Sequence, residues 1–524
     1  MTIPWLTLAI ALPALGALGV ALLPRDRAEH AKRVALAVSV ATLAIVLTIA
    51  VQFDTSGPRL QFEQIQPWIS RFGVHYAVGV DGISLVLIIL AALLVPLVLL
   101  AAWRDTADFH DDGKGYFALV LVLEAMMIGV FAATDVFLFY VFFEVMLIPV
   151  YFMIGRYGRG ADRARAAMKF LLYSLFGGLL MLVAVIGVYV ASARAGEPTF
   201  LWADLSGPDG ALAGLDSTVA IWLFLGFFIA FAIKAPMWPV HTWLPSAAGA
   251  SRPGTAVLLV GVLDKVGTYG MLRYCLELFP EAAQWFVWPV IVLSLISIVY
   301  GAVLAIGQSD MLRLVAYTSV SHFGFIILGI FAMTSQAQSG AALYMVNHGL
   351  ATGALFLVVG FMIARHGSAQ LTDYQGVQRV APRLAGVFLV AGLAGLSLPG
   401  LSPFVSEFLV FVGTFAVYPV PAIIATLGVV LAALYILWLY QRTMTGPTPD
   451  RLSGMSDLSG RELLAVGPLI ALIVILGLFP RPLLEPVNPA VEQTMEQIDV
   501  TDPDPSLDDT EAGASADQTE GVGE

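Results

Sequence analysis

The chain has 524 residues, 59% of them hydrophobic and only 12% charged, with a mean hydropathy of +0.86. A soluble globular domain carries about 25% charged residues, so the composition is that of an integral membrane protein. The formal charge of −12 comes from 38 acidic and 26 basic residues. Twelve of the acids follow Arg481, after which there is no Lys or Arg, so the acidic excess belongs to the tail and the rest of the chain is balanced.

The single cysteine, Cys275, excludes a disulfide framework, a thiolate-bound iron–sulfur cluster and a C-x-x-C-H haem site. No glycine-rich nucleotide loop or Walker sequence occurs, and no basic patch suits nucleic acid.

In chain order, fourteen apolar stretches reach the roughly 20 residues needed to cross a bilayer. They are 3–23, 32–52, 80–103, 116–133, 135–155, 166–191, 219–245, 254–279, 285–306, 314–333, 340–364, 384–415, 420–441 and 462–479. The first has no basic residue before it and no small-residue cleavage site, so it is read as a retained helix. Nineteen Lys and Arg fall in alternate loops beginning with the one that holds Arg25. Basic residues are retained on the cytoplasmic side, which places both termini outside. Lys234 and Lys265 alone lie deep within apolar spans.

The fourth to eighth and the ninth to thirteenth spans have parallel features, each with a proline-interrupted fourth member: FAIKAPMWPVHTWLP in 231–245 and SLPGLSPFVSEFLVF in 397–411. An odd number of crossings inverts the second copy, and inverted repeats with matching broken helices mark many transporters. The expected fold is an all-α membrane bundle. Residues 1–115 form an N-terminal three-helix segment, 116–279 a first five-helix repeat and 280–442 its inverted copy. Residues 443–484 carry the last helix, and 485–524 are expected to be a disordered acidic tail.

Ionisable groups inside the membrane cost about 2.5–3.5 kcal/mol each on insertion scales and are functional by default. Glu144 lies in VFLFYVFFEVMLIPVYFMIG and calls for a partner, for which Lys234 is the natural choice. Pro236 and Pro239 beside Lys234 cannot donate, so the carbonyls of Ala232 and Ala235 lose their helical partners, and a wet pocket is expected. Lys265 lies midway along the eighth span, preceded by Asp264, which is expected to serve another helix or a cytoplasmic-half cavity. His322, His348 and Glu407 occupy the second copy, and imidazole passes protons near neutral pH. The ordered set is Glu144, Lys234, Lys265, His348 or His322, then Glu407, with Glu124, His241 and Asp264 as secondary candidates. No metal motif fits it. The abundant Gly and Ala, as in Gly177-Gly178 and Gly353-Ala354, are read as ordinary close packing.

KAPMWPVHTWLP, VLLVGVLDKVGTYG, AYTSVSHFGF and FFEVMLIPVYFMIG together resemble the antiporter-like, proton-pumping membrane subunits of respiratory complex I, the NADH:quinone oxidoreductase. Within them the resemblance is to the subunit M family, the counterpart of mitochondrial subunit 4, over residues 80–480. It implies a fourteen-helix subunit of the bacterial cytoplasmic membrane, driven by quinone reduction elsewhere, with no cofactor of its own. Partner subunits would carry FMN and iron–sulfur clusters, with L-like and N-like membrane subunits as neighbours. It also implies that Glu144 and Lys234 form a coupling pair, that Lys265 is the central carrier and that Glu407 is the terminal group. A subunit of a multi-subunit Na⁺/H⁺ antiporter or of a membrane-bound hydrogenase is the alternative. The stretch SAAGASRP in 246–253 departs from the family's usual DAHVEAPT and brings in Arg252.

Overall fold

The computed structural model describes residues 3–24, 27–108 and 113–503. Two apolar helices lead, α1 (Trp5–Leu22) and α2 (Ala28–Gln52), followed by an unanticipated antiparallel hairpin of β1 (Gln61–Ile69) and β2 (Val74–Val80). The turn between the strands passes through Gly73 at φ +67°, where a Cβ would fall 2.0 Å from the Pro198 carbonyl oxygen. Asp81 then starts α3 (Gly82–Ala101) with a reciprocal cap: its carboxylate accepts from Ser84 N–H, and the Ser84 hydroxyl accepts from Asp81 N–H.

Next come α4 (Lys114–Ala132), α5 (Val136–Val145), α6 (Leu147–Gly155), α7 (Arg163–Ala195), the single turn α8 (Trp202–Leu205) and α9 (Ser217–Lys234). The stretch read as one span over 135–155 is divided at Met146. Pro149 contributes to the break, because it lacks the N–H that the Val145 carbonyl would receive. Likewise 219–245 is not one helix: α9 stops at Lys234, residues 235–242 turn, and α10 (Trp243–Ala250) follows.

The eighth span begins as α11 (Pro253–Leu258), widens into a π turn at Leu259–Leu263, returns to α12 (Asp264–Gly270) and widens again at Met271–Leu276. Such π turns are frequent at functional sites. After α13 (Pro280–Trp285) come α14 (Val287–Ile306), α15 (Met311–Phe331) and α16 (Ser335–His366). The expected span 384–415 is two helices, α17 (Pro382–Gly395) and α18 (Ser402–Val417), separated by a turn with Ser397 at φ +56° and Gly400 at φ +92°. The long α19 (Pro419–Met444), α20 (Gly460–Leu478) and α21 (Arg481–Gln497) complete the order. Among the described residues thirteen helical stretches are long and apolar enough to cross a membrane, and α17 and α18 are shorter apolar helices.

Burial follows position in the bundle. The stretch 253–276 and α16 are buried along their whole apolar windows, whereas α1, α2 and α20 each bury only about a third of theirs. The buried helices carry the candidate residues Asp264, Lys265 and His348, and α15 beside them carries His322.

The disorder expected from residue 485 onward is corrected for the described part. Residues 481–497 form α21, because Val487, Ala490, Val491, Thr494 and Met495 recur at helical spacing and make one buried stripe under the acidic face. The composition of the tail conceals that narrow stripe. Residues 504–524, the remainder of the acidic tail, lie outside the described residues, as do Arg25 and 109–112.

Helix α21 packs on α3 and α16. At its closest approach a Cβ on Gly82 would lie 1.6 Å from the Pro486 carbonyl oxygen. Backbone cannot give way as a side-chain tip does, so Gly82→Ala is expected to cost about 1–3 kcal/mol by overpacking and to lift α21. Glu-specific proteolysis after Glu492 and Glu496 reads this directly: faster cleavage in the variant is expected, and parental resistance would disprove the docking.

Candidate functional site

Glu144 is the penultimate residue of α5, just before the break at Met146. The residue is half-buried, and its Oε1 is enclosed without a hydrogen-bond partner. Lys234 ends α9, is 1% exposed, and its Nζ likewise has no hydrogen-bond partner. The ammonium lies 4.6 Å from the ring centroid of Phe143, the neighbour of Glu144. Charge on a ring face is favourable, so Phe143 helps to hold the ammonium where it lies. Glu144 and Lys234 lie within electrostatic reach of each other without a direct ion pair.

The break after Lys234 is filled by protein more fully than the prolines alone suggest. The Ala232 carbonyl, freed by Pro236, accepts from Met237 N–H at 2.9 Å, and the Ile233 carbonyl accepts from the Trp243 indole at 2.8 Å. Trp238 N–H donates to the Ser297 hydroxyl at 2.9 Å, and Lys169 donates to the Thr242 carbonyl at 2.6 Å. The orphan expected at Ala232 is therefore corrected: a wider turn supplies its donor. His241 lies in this break, edge-on to Tyr300 at 5.3 Å, with Nδ1 unpartnered. The structure does not join it by a hydrogen bond to the other candidates.

Lys265 is fully buried between the two π turns. Its ammonium donates to the Val260 carbonyl and lies 2.7 Å from His348 Nδ1, with the Phe323 ring centroid 5.1 Å away. The His348 ring meets His322 edge to face at 5.3 Å, and His322 Nε2 is 3.5 Å from the Tyr435 hydroxyl. Tyr344 and Tyr435 both lie within electrostatic reach of Glu407, which is 5% exposed on α18. The Ser397 side chain, in the break before α18, adjoins both Glu407 and Tyr344. Four of the expected residues thus form one file, and the choice between the histidines resolves into an order, with His348 first and His322 second.

Asp264, expected to serve another helix or a cytoplasmic-half cavity, lies near lysines of two helices. Both carboxylate oxygens are buried and unpartnered, within electrostatic reach of Lys265 and Lys234 alike. Helix α12 touches the end of α9 one turn later, where a Cβ on Gly267 would be 2.5 Å from the Phe231 carbonyl oxygen. Glu124 on α4 is fully buried with both oxygens unpartnered, so no hydrogen bond joins it to the file.

Several residues of the site carried no sequence signal of their own: Phe143, Gly178, Tyr344, Ser397 and Tyr435. A second polar cluster was also missed. Arg273 is buried and pairs with Asp81 and, at 3.4 Å, with Glu277. Glu277 also takes Arg59 and, at 2.6 Å, the Thr494 hydroxyl of α21. Arg59 donates to Gln497 Oε1 at 2.7 Å, and both guanidinium groups lie against the Trp202 ring, at 4.7 and 4.8 Å. In the divergent stretch, Arg252 Nε donates to the Tyr157 carbonyl at 3.2 Å. Among the described residues no group of three or more His, Cys, Asp or Glu side chains is arranged to hold a metal ion.

A helical membrane bundle with unpaired acids and an unpaired lysine beside broken helices, and a buried file of exchangeable groups, defines the class of membrane ion translocators. The family described as NADH:quinone oxidoreductase/Mrp antiporter, transmembrane, matches residues 133–434. NADH-quinone oxidoreductase subunit M of Mycobacterium tuberculosis is 51% identical, with 96% of each chain covered. A chain in the structure of respiratory complex I from Thermus thermophilus with bound NADH superposes with a TM-score of 0.84 at 33% identity, covering 94% of this chain and 99% of that one. A chain of the Mrp complex from Dietzia shares the fold, with a TM-score of 0.82 at 22% identity over 95% and 100% of the two chains. The protein belongs to the NADH:quinone oxidoreductase/Mrp antiporter family, in its subunit M branch.

Proposed function

We propose that the chain is the proton-translocating subunit M of a bacterial NADH:quinone oxidoreductase, set among other membrane subunits in the cytoplasmic membrane and driven by quinone reduction elsewhere in the complex. The observation that carries this reading is the buried file from Lys265 through His348, His322 and Tyr435 to Glu407. This chain holds no redox group in the proposal; partner subunits hold FMN and iron–sulfur clusters.

In the proposed cycle, a change of charge at Glu144 and Lys234 alters the field on Asp264 and Lys265. The Lys265 ammonium then gives a proton to His348 Nδ1, and His348 releases one from Nε2. Both His348 Nε2 and His322 Nδ1 lack partners, which suits a transient water between them. The proton continues by way of His322 and Tyr435 to Glu407, which exchanges it with the outside. Neutral imidazole suits this relay, since one nitrogen accepts while the other donates.

The topology that accompanies this reading has fourteen crossings, counting α17 and α18 as one broken crossing, and both termini outside. Residues 116–279 and 280–442 are its inverted repeats, with breaks at 235–242 and 396–401.

The test is the whole complex reconstituted in liposomes and supplied with NADH and a quinone. Glu144→Ala is expected to lower proton pumping by at least tenfold, whereas pumping equal to the parent would overturn the reading. Pumping that tracks a sodium gradient and ignores NADH would instead indicate an antiporter.

A further inference from the structure

The Glu144 carboxylate lies across the backbone of α7 at Gly178. A Cβ at residue 178 would fall 1.6 Å from Oε1, 2.5 Å from Cδ and 3.0 Å from Oε2 of Glu144. The carboxyl group therefore occupies the space where any other residue would begin its side chain. The adjacent Gly177 has separate surroundings: its Cβ would meet Ala230 Cα and Ile233 Cδ1 of α9, each at 3.1 Å. One glycine lets α7 approach α9, and the other leaves a seat for the acid on α5.

We propose that Gly178 is a positioning residue for Glu144, holding its carboxyl group at a set place relative to Lys234. This rests on the reading of Glu144 as a proton-coupling group. Three observations point the same way. The Glu144 Oε1 has no hydrogen-bond donor, so hydrogen bonding does not fix that oxygen. Phe143, its neighbour in sequence, has the Lys234 ammonium 4.6 Å from its ring centroid, so the lysine approaches the same stretch of α5 whose acid is seated on the α7 backbone. Glu144 sits two residues before Met146, where α5 gives way to α6, so the carboxyl group is carried at an irregular point of the chain. A methyl group at 178 conflicts with the far end of a flexible side chain and not with backbone, so the protein accommodates it by turning the carboxyl group away. The fold is retained and the distance between acid and lysine changes.

Compensation follows from the same geometry. Aspartate at 144 withdraws the carboxyl group by about 1.5 Å, one carbon–carbon bond, and vacates the space a methyl group at 178 needs. The complete reconstituted complex, with NADH and a quinone, is compared as parent, G178A, E144D, the double variant, and G177A with and without E144D. G178A is expected to lower proton pumping about tenfold and to displace its pH profile, while flavin content and assembly stay parental. The double variant is expected to pump several-fold faster than either single variant. E144D is expected not to rescue G177A, whose conflict is with α9.

Parental pumping and pH profile in G178A overturn the proposal, as does a double variant no better than G178A. If G178A fails to assemble, Glu144→Ala in the same chain is expected to restore assembly, and failure to do so also overturns it. The two readings fail separately. If Glu144→Ala pumps like the parent, Glu144 is not a coupling group; if Glu144→Ala is inactive and G178A is normal, only the role of Gly178 is lost.

Discussion

Lys265→Ala is expected to lower proton transfer through the subunit by roughly 100-fold or more, the size of effect associated with loss of a positioned proton donor. The lysine is fully buried, and its ammonium is the group within 2.7 Å of His348, so its removal disconnects the file from the Glu144 and Lys234 side. Alanine also leaves a cavity and an uncompensated Asp264, so one variant does not separate packing from chemistry. Lys265→Arg supplies the separation. Guanidinium keeps the charge beside Asp264 but does not give up its proton, having a pKa above about 12. Pumping is therefore expected to be lost in Lys265→Arg as well, with the complex assembled and stable. NADH-driven acidification of liposomes measures both variants, and substantial pumping in Lys265→Arg would show that the site needs positive charge and not an exchangeable proton.

The second large effect is on stability. Arg273→Ala removes a cation that sits between two buried carboxylates, Asp81 at 1% and Glu277 at 3% exposure. Breaking a buried pair on one side costs about 3–5 kcal/mol, because the remaining charge stays desolvated. Arg59 still faces Glu277, so the deficit falls mainly on Asp81, whose backbone begins α3. The complex carrying Arg273→Ala is expected to lose this subunit on mild heating, read by native electrophoresis against temperature. Asp81→Asn in the same chain is expected to recover part of the loss. A melting profile unchanged by Arg273→Ala would show that water or a partner compensates the acids.

The residues that carry charge within apolar spans were legible because each is costly enough to stand out. Glu144, Lys234, Lys265 and Glu407 need no alignment to be noticed, and the structure gathers Lys265, His348, His322 and Glu407 into one region. What escaped had no such signal. Gly178 contributes by having no side chain, and a glycine in a membrane helix looks the same whether it serves packing or a carboxylate. Ser397 matters through a turn with positive φ that the surrounding prolines suggest only in outline. The π turns on either side of Asp264 and Lys265 interrupt a stretch whose apolar run reads in sequence as one continuous helix. Helix α21 was hidden by average composition, because acids dominate its exposed face while the five buried residues form only a stripe.

That last helix also bears on how the protein is made. Arg59 and Gln497 lie 438 positions apart, and Thr494 reaches Glu277 across 217. During synthesis the early hairpin side and the middle helix emerge long before their common anchor. The Asp81, Arg273 and Glu277 cluster therefore receives its α21 contacts only after residues 494–497 have been made. A nascent chain halted before residue 481 holds every residue of the Lys265 file but lacks this closing clasp, so the relay residues precede in synthesis the contacts that tie the cluster together.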